Sequence, residues 1–357
     1  MMSRLFRYVS REVLLASLMT AAALLGLFAF FDFIGEMSDA RAPGYTPLKA
    51  LAYVALNLPV RLYELMPVAL LIGSLLAWNR LALGSEFSVM RAAGLSMYRL
   101  IAWMLSLGMV VGGATLLLGE YVAPHAEQMA RHLKASATTG VVARGLKTGL
   151  WARDGNTFIN IHEMQPDSSL REVRLYAFDR DFRLLGVHHA AKALWEGGHW
   201  RLETVTETTL SGDRTSTAHV HDRVWATAIT PEFLAVLMVP PESMSIATLL
   251  AYVDHLSENR QDVRRYEIAL WNKMIYPAAA PVMLLLALVF AYRPPRSGGV
   301  GGRLLTGVLL GLGFHLINRL LAQVSQLLDW SAPAAAIVPV LLFAVAAAAG
   351  VWWQERR

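Results

Sequence analysis

The stretch VLLASLMTAAALLGLFAFF at residues 13–31 contains no charged side chain. A run of roughly 18 or more apolar residues is typical of a membrane-spanning helix, because about 20 residues at ~1.5 Å each match the hydrocarbon thickness of a bilayer. Similar stretches recur along the chain. We therefore predict six spans, at about 12–35, 58–80, 100–121, 268–292, 303–326 and 334–353.

The region between the third and fourth spans has a different pattern. From about residue 125 to residue 240 no stretch is apolar enough to cross a membrane, and much of it alternates between apolar and polar residues. Trp200 and Leu202, for example, alternate with Arg201 and Glu203. This period of two, broken by Gly and Asp turn signals, is typical of short strands. Several such strands predict an all-β sandwich or jelly roll.

The predicted fold class is therefore a membrane α-helical protein with an inserted all-β, jelly-roll-like domain. Charged residues make up 17% of the chain, fewer than the roughly 25% of soluble domains. The N-terminal half should take residues 1–124, including a short helix at about 84–97. The β domain with flanking helical segments should take 125–265, and the C-terminal half 266–357.

The positions of the basic residues predict the orientation in the membrane. Short cytoplasmic loops carry an excess of Lys and Arg, and with six spans the arginine clusters all fall on one side. Both termini should then be cytoplasmic, and the β domain should lie on the outer side. This bias accounts for the net charge of +5, and attraction to anionic lipid is the alternative. The arginines concerned are Arg4, Arg7, Arg11, Arg80, Arg91, Arg99, Arg293, Arg296, Arg303, Arg356 and Arg357.

Several kinds of chemistry are excluded or disfavoured by the residue types. The chain has no cysteine, so disulfides, thiolate catalysis and Cys-ligated zinc are excluded. The glycines at 298–302 lack the Lys-Ser/Thr of a phosphate-binding loop, so any ATP must be hydrolysed by a partner. No hydrolase motif is present. We predict no metal site, no bound cofactor and no nucleic-acid partner, although two histidine pairs (188–189 and 219/221) could in principle bind a metal.

The segment at residues 84–96, between the second and third spans, has the pattern of a short helix. Ser85 is placed to cap its N-terminus and Gly94 to end it. Two interpretations stay open: the helix inserts into a groove on another protein, or it lies among lipid headgroups. On the first interpretation the contacts would come from Glu86, Phe87, Met90 and Arg91.

The fifth predicted span carries a polar stripe, because four of its residues recur at every fourth position: Gly307, Gly311, His315 and Arg319. The glycine pair permits close approach of another helix. A charge inside a membrane costs at least ~2.5 kcal/mol at the centre. The two basic residues should therefore face a cavity or protein, or else extend to the outer headgroups. Acidic partners could come from the end of the first span, at Asp32, Glu36 and Asp39.

Short motifs occur in a fixed order along the chain. They are the predicted helix at 85–94, Gly-Glu-Tyr-Val-Ala-Pro at 119–124, Gly-Leu-Trp-Ala-Arg-Asp-Gly at 149–155, and Trp-Asn-Lys at 271–273. In this order, around three helices, a β domain and three more helices, they resemble the LptF/LptG family, the permease subunits of the lipopolysaccharide exporter. The resemblance covers essentially the whole chain, and the motif at 149–155 is closer to the LptG members.

The resemblance implies a multi-pass protein of the bacterial inner membrane with a periplasmic jelly-roll domain. Its partners would be an LptF-like permease, an LptB-like ATPase dimer that uses ATP and Mg²⁺, and an LptC-like single-span protein. The complex would extract lipopolysaccharide and pass it to a periplasmic bridge. The helix at 85–94 would couple the permease to the ATPase.

A lipopolysaccharide cavity needs bases for phosphate near the outer leaflet and apolar walls below. The candidates are His315, Arg319, Phe314, Arg61, Arg131 and Arg41. The acidic end of the first span departs from the family, whose members often carry bases there. Within the β domain, a path for acyl chains would be lined by Ile161, Trp200 and Leu202. The alternatives are a membrane-anchored assembly scaffold and a permease for a related lipid or lipoprotein.

Overall fold

The computed structural model describes most of the chain: residues 2–39, 45–137, 149–165, 169–179, 181–211, 214–227, 229–231, 234, 240–258, 261–291, 300–328 and 330–355. The chain divides into two compact units. The first, which is helical, comprises Met1–Glu36, Val54–Ala130 and Pro241–Arg357. The second comprises Met37–Tyr53 and Arg131–Pro240 and contains the β-sheet.

Helices account for both ends of the described chain. In the N-terminal part they are α1 (Met2–Asp39), α2 (Pro47–Leu83), α3 (Glu86–Ala92), α4 (Met97–Leu117) and α5 (Ala123–Ala137), with a π-helical turn at Leu118–Val122 between the last two. In the C-terminal part they are α6 (Ile246–Glu258), α7 (Arg264–Ile275), α8 (Ala279–Ala291), α9 (Val300–Leu327) and α10 (Ala332–Glu355).

Six helical stretches within the described residues are long and apolar enough to cross a membrane, as predicted. They are longer than the predicted spans at several ends because the helices continue into polar residues. Their bounds are Arg4–Met37, Pro47–Leu83, Met97–Lys134, Arg264–Phe290, Leu305–Leu327 and Ala332–Trp353.

The fourth span is interrupted where the sequence places prolines. A 3₁₀ turn at Tyr276–Ala278 separates α7 from α8, because Pro277 has no N–H to donate to the helix ladder. Two glycines of α4 face this interruption. A Cβ atom on Gly108 would lie 2.3 Å from Pro281 Cα, and one on Gly112 would lie 2.6 Å from the Pro277 carbonyl oxygen. Glycine therefore allows the two backbones to touch.

The described residues contain six strands, which form one antiparallel sheet in sequential order. This arrangement agrees with the predicted all-β character, and the jelly-roll arrangement stays a prediction. The strands are β1 (Leu150–Asp154), β2 (Thr157–Met164), β3 (Leu170–Phe178), β4 (Leu184–Glu196), β5 (His199–Ser211) and β6 (Arg214–Trp225).

Simple alternation between the two faces of the sheet breaks in two strands. Glu172 and Thr204 have positive φ angles of 50° and 54°, a conformation that is uncommon for residues other than glycine. At each place the buried residues are three positions apart instead of two, so the same face of the sheet stays apolar on both sides of the irregularity. These buried pairs are Leu170 and Val173 on β3, and Leu202 and Val205 on β5.

Candidate functional site

The short helix α3 ends as predicted but begins differently. Gly94 has φ +89°, and the Leu95 N–H donates to the Met90 carbonyl at 3.1 Å, which is the hydrogen bond of a glycine-terminated helix end. The prediction that Ser85 caps the N-terminus is wrong. Ser85 adopts the left-handed conformation and its side chain makes no capping hydrogen bond, because an N-cap residue needs an extended backbone to reach the first-turn N–H groups.

The two apolar candidates on α3 face the interior of the chain. Phe87 and Met90 are only 8% and 7% exposed, and the Phe87 ring packs edge-on against Trp78 with 5.9 Å between the ring centroids. Within the chain the two side chains anchor the helix, and a direct contact with a partner stays a prediction. The outer surface carries Glu86, Arg91 and Val89, and Val89 is 66% exposed.

Two polar contacts connect α3 and the end of α2 to the start of α1. The Tyr8 hydroxyl donates to Glu86 Oε2 at 2.7 Å. Arg80 Nη1 lies 3.2 Å from Glu12 Oε2. One of the candidate docking residues, Glu86, is therefore held by the first membrane helix, a relationship that no local sequence pattern indicates.

The glycines of the polar stripe on α9 pack against α2. A Cβ atom on Gly307 would lie 2.5 Å from Leu75 Cδ1, and one on Gly311 would lie 2.8 Å from Val68 Cγ1. The pair therefore permits the close helix approach that was predicted. Because the helix turns ~100° per residue, a four-residue stripe rotates by about 40° per step. At His315 and Arg319 the stripe therefore no longer faces α2, and both side chains are exposed.

Phe314 does not share the exposed face of Arg319. It is only 1% exposed, and its ring lies 5.3 Å from Phe343 and 6.4 Å from Tyr276 between centroids. Phe314 thus points ~100° away from the adjacent His315, and its role as a wall beside the bases stays a prediction. The exposed apolar neighbours of the two bases are Leu312 and Leu316.

Arg61 on α2 is engaged by acidic residues of its own chain. Its Nε and Nη2 atoms donate to the two carboxylate oxygens of Asp32 at 2.8 and 2.9 Å, and Nη1 donates to Glu64 at 3.1 Å. The acidic end of α1 thus pairs with α2, whereas the sequence suggested a pair with His315 or Arg319. A phosphate at Arg61 would have to share the guanidinium with Asp32. Arg131 is half-buried on α5, and Arg41 lies outside the described residues.

The N-terminus of α6 is capped from a distant part of the chain. The Glu120 carboxylate accepts hydrogen bonds from the Ile246 and Ala247 N–H groups at 2.7 and 3.3 Å. Glu120 lies in the π-helical turn at Leu118–Val122. The ammonium of Lys273, which is buried, donates to the Met244 carbonyl. Together these contacts fix the point where the chain returns to the membrane helices.

The β-domain candidates come together in one buried cluster. Ile161, Trp200 and Leu202 are almost completely buried, together with Ile229 and Leu234 from the segment that follows β6. The Trp200 indole N–H donates to the Ile229 carbonyl at 2.7 Å. Chain following the last strand therefore covers the apolar face that was predicted to line a lipid path.

A polar cluster lies on that same face of the sheet. Glu207 pairs with His188 across β4 and β5 and lies two residues from the buried Val205, so it shares that residue's face. Arg223 donates to Glu207 and to His188 Nδ1, the latter at 3.3 Å. Burial, followed by the charge of Arg223, lowers the pKa of His188, and Glu207 opposes this shift. In the described parts of the chain no group of three or more potential metal ligands lies together.

Comparison with known proteins decides which family these helices and strands represent. The family model described as "Lipopolysaccharide export system permease LptF/LptG" matches residues 7–353. The chain belongs to the LptF/LptG family. It is 32% identical over 359 residues to the lipopolysaccharide export system permease protein LptG of Haemophilus influenzae, covering 100% of this chain and 99% of the relative.

A second LptF/LptG relative gives the same result. The chain is 33% identical over 317 residues to the LptG permease protein of Escherichia coli strain K12, which covers 88% of each chain. The resemblance noted in the short motifs is therefore confirmed at the level of the whole sequence. The described residues of this chain form six apolar helices and a β-sheet, which is consistent with membership of this family.

Proposed function

We propose that the chain is an LptG-type permease subunit of an ABC transporter that extracts lipopolysaccharide from the inner membrane. The complex passes the lipid to a periplasmic bridge toward the outer membrane. The observation that carries this proposal is the family match over residues 7–353, with LptG proteins as full-length relatives. As a permease subunit the chain would be non-catalytic, and since its sequence has no phosphate-binding loop, ATP hydrolysis would fall to a partner.

The partners follow from the surfaces that the chain leaves open. In each of the spans Arg4–Met37 and Leu305–Leu327, only 17% of the apolar 18-residue stretch is buried inside the chain. Lipid or another membrane protein must cover these helices, and an LptF-like permease is the proposed occupant. An LptC-like single-span protein would join on the periplasmic side.

The ATPase contact is assigned to the outer surface of α3. The buried side chains of Phe87 and Met90 fix the helix on the core of the membrane helices. A displacement of α3 by a partner would therefore also displace the helices that pack against it. Glu86 and Arg91 supply charges for an LptB-like ATPase dimer, which binds ATP and Mg²⁺. Exposed charges at such an interface contribute to orientation and association rate.

The substrate site is assigned to the exposed part of the α9 stripe. His315 and Arg319 present basic groups among exposed leucines, and lipopolysaccharide combines phosphate groups with acyl chains. An arginine binds phosphate through a planar fork of donors. The same face would also suit an acidic residue of a partner helix, which is the competing occupant.

The proposed topology places both termini in the cytoplasm and the β domain in the periplasm. It can be tested by labelling single cysteines, since the chain has none of its own. Val89 on α3 and Thr217 on β6 are both exposed. A membrane-impermeant maleimide added to spheroplasts should label Thr217→Cys, and should label Val89→Cys only after permeabilisation. The reverse result would invert the topology.

The transport function is tested by co-purification and ATPase measurement. The tagged chain should co-elute with a second permease and an ATPase, and lipopolysaccharide should stimulate ATP hydrolysis by the reconstituted complex. Phospholipid at equal concentration is the control. A complex that assembles but hydrolyses ATP equally with either lipid would favour the scaffold interpretation.

A further inference from the structure

The first membrane helix packs along one face of its first half and is largely exposed over the rest. A Cβ atom on Gly73 of α2 would lie 2.3 Å from Ser17 Cα, so the two backbones touch there. In the middle and outer parts of α1, large apolar side chains such as Leu18, Met19 and Phe30 are exposed. Val9 and Val13, near the cytoplasmic end, are completely buried in the main helical core. A helix that is packed this unevenly can transmit a movement from one end to the other, because the helix is a rigid rod.

The cytoplasmic end of α1 meets the α3 helix through both apolar and polar contacts. Val9 and Val13 belong to the same buried cluster as Phe87 and Met90. Beside this cluster the Tyr8 hydroxyl donates to Glu86 at 2.7 Å, and Arg80 pairs with Glu12. Tyr8 is 41% exposed, so the hydrogen bond lies at the rim of the cluster, on the surface assigned to the ATPase.

At the other end, α1 is joined to α2 by the two-point ion pair between Asp32 and Arg61. The helix is thus fixed to α3 at the cytoplasmic side and to α2 about 36 Å away, since 24 residues at ~1.5 Å each separate Tyr8 from Asp32. Movement of α3 would therefore shift the start of α1 against α2, which α1 contacts at Ser17 and at Asp32.

We propose that Tyr8 is a positioning residue of the coupling site. Its hydroxyl orients the Glu86 carboxylate and links α1 to α3, so that displacement of α3 by the ATPase is passed to the first membrane helix. This inference rests on the proposed docking of α3. A carboxylate can accept about four hydrogen bonds, so the bond from Tyr8 leaves room for a cationic side chain of the ATPase on Glu86. A charge-assisted bond of this kind is stronger than a neutral one.

The test removes the Tyr8 hydroxyl oxygen. It measures the amount of lipopolysaccharide released per ATP hydrolysed, which reports coupling, and not ATP hydrolysis alone. Tyr8→Phe keeps the ring, and the assembled transporter should release about three- to tenfold less lipopolysaccharide per ATP hydrolysed, the size expected for loss of one hydrogen bond. Tyr98→Phe is the matched control, because Tyr98 is an exposed tyrosine in the first turn of α4. It should leave the ratio unchanged, and thermal unfolding of both variants should match that of the unmodified complex.

A double variant separates this inference from the docking proposal. If Tyr8 acts through Glu86, Tyr8→Phe should add nothing to the defect of Glu86→Ala, since coupled residues are non-additive. An unchanged ratio in Tyr8→Phe, or fully additive effects, would overturn the role of Tyr8 while a defect in Glu86→Ala still supported docking. If Glu86→Ala recruits the ATPase and transports normally, the docking proposal fails, and the Tyr8 role fails with it.

Discussion

The carboxylate of Glu120 accepts a hydrogen bond from the N–H of Ile246, 126 residues later in the chain, at 2.7 Å. It caps α6 from a π-helical turn, and such turns occur frequently at functional positions. The contact joins the segment that leaves the third span to the segment that returns to the fourth. The strands β1–β6 lie between these two segments in the sequence.

Glu120→Ala should therefore destabilise the chain. The Ile246 and Ala247 N–H groups would lose their acceptor, while Ser245 would still accept from the Thr248 N–H at 3.1 Å. Loss of a capping side chain costs about 0.5–2 kcal/mol, and loss of a negative charge at a helix N-terminus adds to the effect. Thermal unfolding in detergent should show a lower midpoint. Glu242→Ala is the control, because Glu242 only approaches Arg265 at 4.0 Å and its side chain is 64% exposed; an equal loss in both variants would argue against the cap.

The contact between α4 and the interrupted fourth span predicts a second stability effect. Gly108→Ala would place a Cβ atom 2.3 Å from Pro281 Cα, and relieving such an overlap costs about 1–3 kcal/mol. Gly113→Ala is the matched control on the same helix, since no atom lies within 4 Å of its Cβ position. Only Gly108→Ala should lower the unfolding midpoint, and equal behaviour of the two would contradict this packing.

His188 predicts a pH dependence of the β domain. Burial lowers its pKa in the folded state, so the unfolded chain binds more protons once the pH falls below the ordinary value of about 6.5. Stability should therefore decrease as the pH falls through that region. Thermal unfolding between about pH 5 and pH 8 should show a weaker acid-side loss in His188→Gln. His162→Gln, which replaces an exposed histidine on β2, should keep the slope of the unmodified chain.

The buried face of the sheet predicts which positions meet the lipid if the β domain carries it. A photo-crosslinker at Leu202 should trap lipopolysaccharide during ATP hydrolysis, whereas one at Arg201 on the opposite face should not. In the structure Ile229 covers this face and accepts a hydrogen bond from Trp200, so labelling should require active transport. Equal labelling from both faces, or from neither, would contradict an internal path.

The length of the apolar stretches predicted the six spans, because every helix that crosses a bilayer needs an apolar stretch of about 20 residues. Glycine likewise predicted the end of α3 at Gly94, since its backbone preference is local. What the sequence could not predict depends on tertiary contacts. The inward faces of Phe87 and Phe314 follow from their packing neighbours, and helical periodicity cannot tell which apolar face meets its own chain.

The hydrogen-bond and ion-pair partners of the polar residues could not be predicted from local sequence either. Asp32 was expected near the bases of the fifth span, but pairs with Arg61 instead. Glu120 and Tyr8 gave no signal, because their partners lie 126 and 78 residues away. The positive φ of Thr204 also has no composition cue, although it changes the spacing of buried residues on β5.

The exposed stripe on α9 predicts a specific defect in substrate loading. Arg319→Glu should reduce the lipopolysaccharide that co-purifies with the complex while the permease pair still assembles, and Arg319→Lys should recover only part of it, because lysine lacks the planar fork. Gln326→Glu adds a charge at an exposed position nearer the end of the same helix and should load normally. Normal loading by Arg319→Glu would mean that Arg319 only extends to the headgroups.

Direct transfer of lipopolysaccharide to a bridge protein tests whether this chain helps to move the lipid out of the inner membrane. The chain would be reconstituted with its permease and ATPase partners in vesicles loaded with lipopolysaccharide, and a soluble bridge protein carrying a photo-crosslinker would be added outside. We predict a crosslinked lipopolysaccharide adduct that requires ATP and disappears when this chain is omitted. An adduct that forms equally without ATP, or without this chain, would contradict the account.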